Sequence, residues 1–97
     1  MKRLFMVLAT LTASAPGWAE DPVLKADSAP GRAATVEICS HCHSSAYIVM
    51  NSVFLSADDW RAEVLKMRTA FGASIDEKSA DEISAYLGQH YGVPDSR

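Results

Sequence analysis

Cys39-Ser40-His41-Cys42-His43 constrains this 97-residue chain more than any other segment. In a helical conformation two cysteines three residues apart bring their thiols within about one turn, with a histidine four residues after the first on the same side. Two such thiols can each add to a vinyl group at one edge of a porphyrin, and the adjacent imidazole can turn under the ring to bind iron. The spacing therefore points to one covalently attached haem c, held through Cys39 and Cys42, with His43 as an iron ligand. A disulfide between the same cysteines closes so short a loop that it adds little stability.

The ends of the chain bear on where such chemistry takes place. Met1-Lys2-Arg3, an almost uncharged run from Leu4 to Ala15, and Gly17-Trp18-Ala19 before Glu20-Asp21 have the order of a secretory signal peptide. The apolar stretch falls short of the roughly 20 residues of a membrane-spanning helix. The reading is a leader over residues 1–19, cleaved after Ala19, and a periplasmic mature protein without stable membrane insertion. The mature part is one small domain. Domains of that size draw little stability from their own core and lean on a cofactor, metal or disulfide, and a haem supplies a large flat apolar surface to pack against. The formal net charge of −3 becomes more acidic once Lys2 and Arg3 are removed, which disfavours nucleic acid and anionic lipid as partners. No serine–histidine–acid set, glycine-rich phosphate loop or metal-binding carboxylate cluster is present, so the chain reads as an electron carrier and not as an enzyme acting alone.

Residues 20–31 carry Pro22, Pro30 and Gly31 without an apolar period and read as an extended N-terminal arm. Residues 32–97 form the predicted cytochrome domain. Its first helix runs from Arg32 to the cysteine motif, and Ser44 to Leu55 shows no clean helical period and reads as a packed loop. Ser56-Ala57-Asp58-Asp59 has the form of a helix cap, before Trp60, Val64, Met67 and Phe71 on one apolar face ended by Gly72. A last helix, capped by Ser74 or Ser79, places Ile83, Tyr86, Leu87 and His90 on one stripe and ends at Gly92 and Pro94. Three helices and no strand predict an all-α fold, with the helix stripes packed against one haem.

Met67, Met50, His90 and His41 all carry atoms able to serve as the second iron ligand, and spacing leaves the choice open: Met67 ranks first, then Met50 and His90, with His41 last, although a methionine on an apolar face between Trp60 and Phe71 is more often ordinary core. Methionine opposite histidine raises the reduction potential and closes the iron to other chemistry, as suits electron transfer. Trp60, Tyr47, Tyr86 and Tyr91 are available to line the crevice; for Tyr86 and Tyr91 helix packing is the stronger expectation. A thioredoxin-like thiol pair would sit at a helix start in a strand–helix–strand setting, and a zinc site using Cys39, Cys42 and His90 would need a second spaced pair. Neither context is present.

Cys39-Ser-His-Cys-His43-Ser-Ser-Ala-Tyr47-Ile48, Trp60-x-x-Glu63-Val64-x-Lys66-Met67, Phe71-Gly72-Ala73-x-Ile75 and Ile83-x-x-Tyr86-Leu87-x-x-x-Tyr91-Gly92 together resemble the small cytochrome subunit of bacterial sulfite dehydrogenases. The resemblance covers about residues 33–92. It implies a small class I-like cytochrome c fold, about three helices wrapped around one covalent haem, with Met67 as the second iron ligand. It also implies a heterodimer with a molybdenum-cofactor subunit that oxidises sulfite, whose electrons this chain accepts singly and passes to a downstream cytochrome c. Ser74 stands where the family pattern has proline, and residues 51–59 lack the family's proline- and glycine-rich character. A free-standing shuttle cytochrome serving an oxidase or another dehydrogenase is the alternative function, and a thiol–disulfide or zinc module the second.

Overall fold

Proline lacks an amide donor and has its φ fixed near the helical value, so it serves well as the first residue of a helix, and Pro30 opens α1 (Pro30–Ala34). The computed structural model describes residues 20–94 together with residues 9, 10 and 12; the expected leader over residues 1–19 lies almost wholly outside them. Helix α1 thus starts two residues before the predicted Arg32, and the last two residues of the predicted arm are helical. It runs directly into a π-turn over Thr35–Cys39, where the hydrogen-bond ladder slips from i→i+4 to i→i+5. Buried Thr35 turns its hydroxyl back to donate to the Gly31 carbonyl at 2.7 Å.

The segment read as a packed loop contains α2 (Ala46–Asn51). Only Ile48 of this helix is buried, whereas Val49, Met50, Val53 and Phe54 are exposed. The apolar residues of the segment therefore never shared one face, which is why no period showed. Helix α3 (Ala57–Thr69) begins with the expected capping box: the Asp59 amide donates to Ser56 Oγ at 3.2 Å and the Ser56 amide donates to Asp59 Oδ2 at 3.0 Å. Beyond α3 the chain turns at Gly72, whose φ of +69° lies in the left-handed region. Phe71 lies past the helix end and is 68 % exposed, so it does not extend the α3 face as predicted. Helix α4 (Glu77–Tyr91) is capped by Asp76, which accepts from the Ser79 amide at 2.7 Å, instead of by Ser74 or Ser79. Among the described residues there is no strand, only an isolated bridge between Ser56 and Val93. The all-α expectation holds, with four helices in place of three.

Helix α4 is the centre of the packing, with α3 and α1 both laid against it. Its stripe of Ile83, Tyr86, Leu87 and Tyr91 joins Trp60, Val64, Ile48, Ile75 and Leu24 in one apolar core. Where α1 crosses α4, Gly31 lets the backbones touch: a Cβ there would meet the Glu82 carbonyl and the Tyr86 Cβ. Trp60 is 2 % exposed, and its indole Nε1–H donates to the Tyr91 carbonyl at 2.8 Å, tying α3 to the C-terminal end of α4.

The N-terminal arm is bound along its length. Leu24 enters the core, the Lys25 amide donates to Tyr91 Oη at 2.8 Å, and Tyr86 Oη donates to the Lys25 carbonyl at 2.6 Å. Burial pushes the Tyr86 hydroxyl up to about 12, which keeps it a donor. Nearer the motif, Ser45 Oγ donates to the Pro22 carbonyl at 2.7 Å. At its other end Asp27 Oδ2 lies 2.7 Å from His90 Nε2; the Ala29 amide first, and the His90 ring second, hold its carboxyl below the ordinary carboxylate value.

Candidate functional site

The arm, the α1–π-turn segment, α2 and α3 leave between them a largely apolar cleft of about 350 Å³, within the range of small-molecule and cofactor sites. Cys39 reaches it from the end of the π-turn, His43 from the last position of the motif, and Met67 from α3. Three of the four residues singled out for cofactor attachment thus line one space. Cys42, one residue before His43, is exposed and is not part of the lining, and both cysteines are free thiols.

The motif is a folded turn. The His43 amide donates to the Cys39 carbonyl at 3.4 Å and the His41 amide to the Ile38 carbonyl at 3.3 Å, so Cys39 and His43 stand one turn apart as the sequence required. The His43 ring stacks on Tyr47, centroids 4.9 Å apart and planes 17° from parallel. Tyr47 Oη donates to Glu63 Oε2 at 3.4 Å, and Lys66 Nζ donates to Glu63 Oε1 at 2.9 Å. That hydrogen bond, with the charge of Glu63, raises Lys66 above the ordinary lysine value. Glu63, Val64 and Met67 all line the cleft, as residues one turn apart on α3 do, while Lys66 fixes Glu63 from outside.

Burial first, and the neighbouring Cys42 second, push the Cys39 thiol above its ordinary value. A nucleophilic or disulfide-exchanging cysteine needs the opposite shift, toward thiolate. The environment is that of a thiol kept neutral beside an apolar space.

Of the other residues able to bind iron, Met50 is 71 % exposed, His41 is exposed, and His90 is engaged with Asp27 on the far end of α4. None of the three lines the cleft. Among the described residues no group of three or more histidine, cysteine, aspartate or glutamate side chains converges as a metal site, and no helix is long and apolar enough to cross a membrane. Of the four aromatics, Trp60 and Tyr47 line the cleft, and Tyr86 and Tyr91 are packed in the core, where they fasten the arm.

Two parts of the lining were not singled out in the sequence. Asp21, Pro22, Val23 and Leu24 of the arm form one wall, and Arg32 of α1 stands beside them. Arg32 donates through one terminal nitrogen to the Leu24 carbonyl at 3.4 Å, but its Nε is buried without a hydrogen-bond partner. Leaving a buried donor unpaired costs about 1–3 kcal/mol, more for a charged group. The only local sign was a lone basic residue before an alanine pair, which is ordinary on a helix surface.

A haem c fits the chemistry of this lining. Such a group would bring an apolar ring for the walls, a vinyl group for the Cys39 thiol, an iron for the imidazole and thioether, and a carboxylate for the unpartnered Nε–H of Arg32. No family model, curated protein or solved structure matches the chain.

Proposed function

We propose that this chain is a periplasmic monohaem c-type cytochrome that carries single electrons and has no catalytic residue of its own. The observation that carries the reading is the meeting of Cys39 and His43, from the cysteine motif, with Met67, from α3, on one apolar cleft. In this reading Cys39 and Cys42 hold the haem through thioethers, and His43 and Met67 are its iron ligands. When bound, the haem supplies a one-electron change of iron between the ferric and ferrous states.

The chain's own residues orient and shield. Tyr47 fixes the plane of the His43 ring by stacking, and its hydroxyl is in turn held by the Glu63–Lys66 pair. Trp60, Ile48, Val64 and Leu87 exclude water from the apolar wall, where a low dielectric and a thioether ligand favour a raised potential. The exposed margin at Cys42 and His43 leaves one edge of the site near the surface, as electron exchange between proteins requires.

The resemblance in sequence supports a finer reading: the electron donor is a molybdenum-containing sulfite-oxidising subunit and the acceptor a further cytochrome c. Cleft residues Tyr47 and Ile48, and Glu63, Val64 and Met67, belong to the two more particular blocks of that resemblance, Tyr-Ile and Glu-Val-x-Lys-Met.

Two measurements test the proposal. The exported protein is extracted with acid-acetone and its haem spectrum recorded; colour that stays with the polypeptide is the expected result, and a colourless chain refutes the haem. The protein isolated at low salt with its bound partners is then mixed with sulfite. Reduction within the mixing time, with a molybdenum protein co-purifying, supports the sulfite pathway. A haem that ascorbate reduces and sulfite does not would point to the general shuttle instead.

A further inference from the structure

We infer that Arg32 is the counter-ion of a carboxylate on the bound cofactor and thereby sets its reduction potential; this rests on the haem reading above. Among the described residues lining the cleft Arg32 is the only lysine or arginine, and the carboxylates there are Asp21 of the arm and Glu63 of α3, the latter paired with Lys66; a haem c enclosed there would bring two propionate carboxylates. An ionised carboxylate taken out of water needs a paired donor. The guanidinium presents one: its Nε–H is buried and unpartnered, and one terminal nitrogen makes only a long contact with the Leu24 carbonyl.

Position along the chain agrees with the pairing. Arg32, Thr35, Val36 and Cys39 all line the cleft from one continuous helical segment. Arg32 lies about two turns before Cys39, roughly 10 Å along the axis. Propionates stand on the side of the porphyrin opposite the vinyl groups, so a ring tied at Cys39 extends its carboxylates away from that thiol by a comparable length. The arm completes the enclosure, since the chain carbonyl that Arg32 touches belongs to Leu24, which is itself 5 % exposed.

The pairing has electrostatic consequences. A cation beside the ring disfavours the ferric state, which is one charge more positive, and it also holds the carboxylate ionised across the neutral range. The protein therefore has a midpoint potential that does not vary with pH where an unpaired buried carboxylate would titrate.

The test compares the haem-loaded protein with Arg32→Met, which keeps the apolar stem, and Arg32→Lys, which keeps the charge. Covalent haem is established first from the denatured spectrum, and the midpoint potential is then titrated between about pH 5 and 8. The expected result is a lower potential in Arg32→Met that falls further as pH rises and the freed carboxylate loses its proton, with substantial recovery in Arg32→Lys. A haem-bearing Arg32→Met with the wild-type potential at every pH overturns this inference and leaves the haem assignment standing. Absence of covalent haem from the wild-type chain overturns both. Should Arg32→Met not fold, the wild-type protein decides: a potential independent of pH over this range supports the pairing, and a carboxylate-like slope overturns it.

Discussion

The crossing of α1 over α4 at Gly31 sets where Cys39 stands, and Gly31→Ala perturbs it with one methyl group. The new Cβ would lie 2.8 Å from the Tyr86 Cβ and closer still to the Glu82 carbonyl oxygen. Carbon atoms in contact normally rest about 3.5–4.0 Å apart, so α1 must withdraw by about 1 Å. The obstructing oxygen belongs to the backbone of a fifteen-residue helix and cannot swing aside. Overpacking of this kind costs about 1–3 kcal/mol, and the upper end applies when the neighbour cannot yield. Against it stands the gain from replacing glycine by alanine in a helix, about 1 kcal/mol. The net expectation is a loss of about 2 kcal/mol, or roughly 10 °C in melting temperature for a domain of this size. Urea and thermal unfolding followed by far-ultraviolet circular dichroism measure it. Gly72→Ala serves as the control, because that site is open, with nothing within 4 Å, and its cost is confined to the positive φ. Under the proposed haem reading Gly31→Ala would also disturb the Soret band, since the withdrawn segment carries Cys39, whereas Gly72→Ala would not. A Gly31→Ala protein as stable as the wild type, with an unchanged spectrum, would refute the close crossing.

Trp60→Phe leaves the Tyr91 carbonyl without its indole donor, and a loss of about 1–3 kcal/mol is expected in urea unfolding; an unchanged midpoint would show that the bond contributes nothing net. Met67→Leu roughly conserves volume, with a stability cost below about 1.5 kcal/mol, yet under the proposed ligation it would remove the far-red ferric absorption of sulfur ligation, while Met50→Leu would retain it; the reverse pattern would reassign the ligand. Asp27 is held below the carboxylate value of 3.8 in the folded protein, so its contribution is complete above that value and disappears as pH falls toward the folded one. Asp27→Asn should accordingly show a shallower loss of stability on acidification than the wild type, measured by urea midpoints between about pH 3 and 7. Identical acid limbs would mean that the contacts with Ala29 and His90 do not hold the arm.

The features legible in the sequence were those its residues express locally. The reciprocal bonds of Ser56 and Asp59 depend on a spacing of three and were readable from it, as was the stripe of Ile83, Tyr86 and Leu87. Helix α2 was hidden because it buries only Ile48 and turns Val49 and Met50 outward, so it carries no amphipathic signal. Phe71 continued the α3 period in sequence and not in space, because the helix had already ended at Thr69. The same distinction runs through the site. Cys39, Cys42 and His43 declare themselves by spacing alone. Their approach to Met67 depends on how α3 packs, and the places of Arg32 and Leu24 depend on an arm whose anchors, Tyr86, His90 and Tyr91, lie more than 60 residues away.

The π-turn between α1 and the cysteines sets a rotational phase. In an α-helix each residue advances about 100° around the axis, and the wider ring at Thr35–Cys39 delays that advance before the motif is reached. The portion holding Gly31 against α4 and the portion aiming Cys39 at the cleft are thus offset by an angle that helix packing alone would not supply. Removing one residue within the turn and restoring the regular ladder would keep the grip on α4 but point the first thiol away from the cleft that His43 and Met67 line.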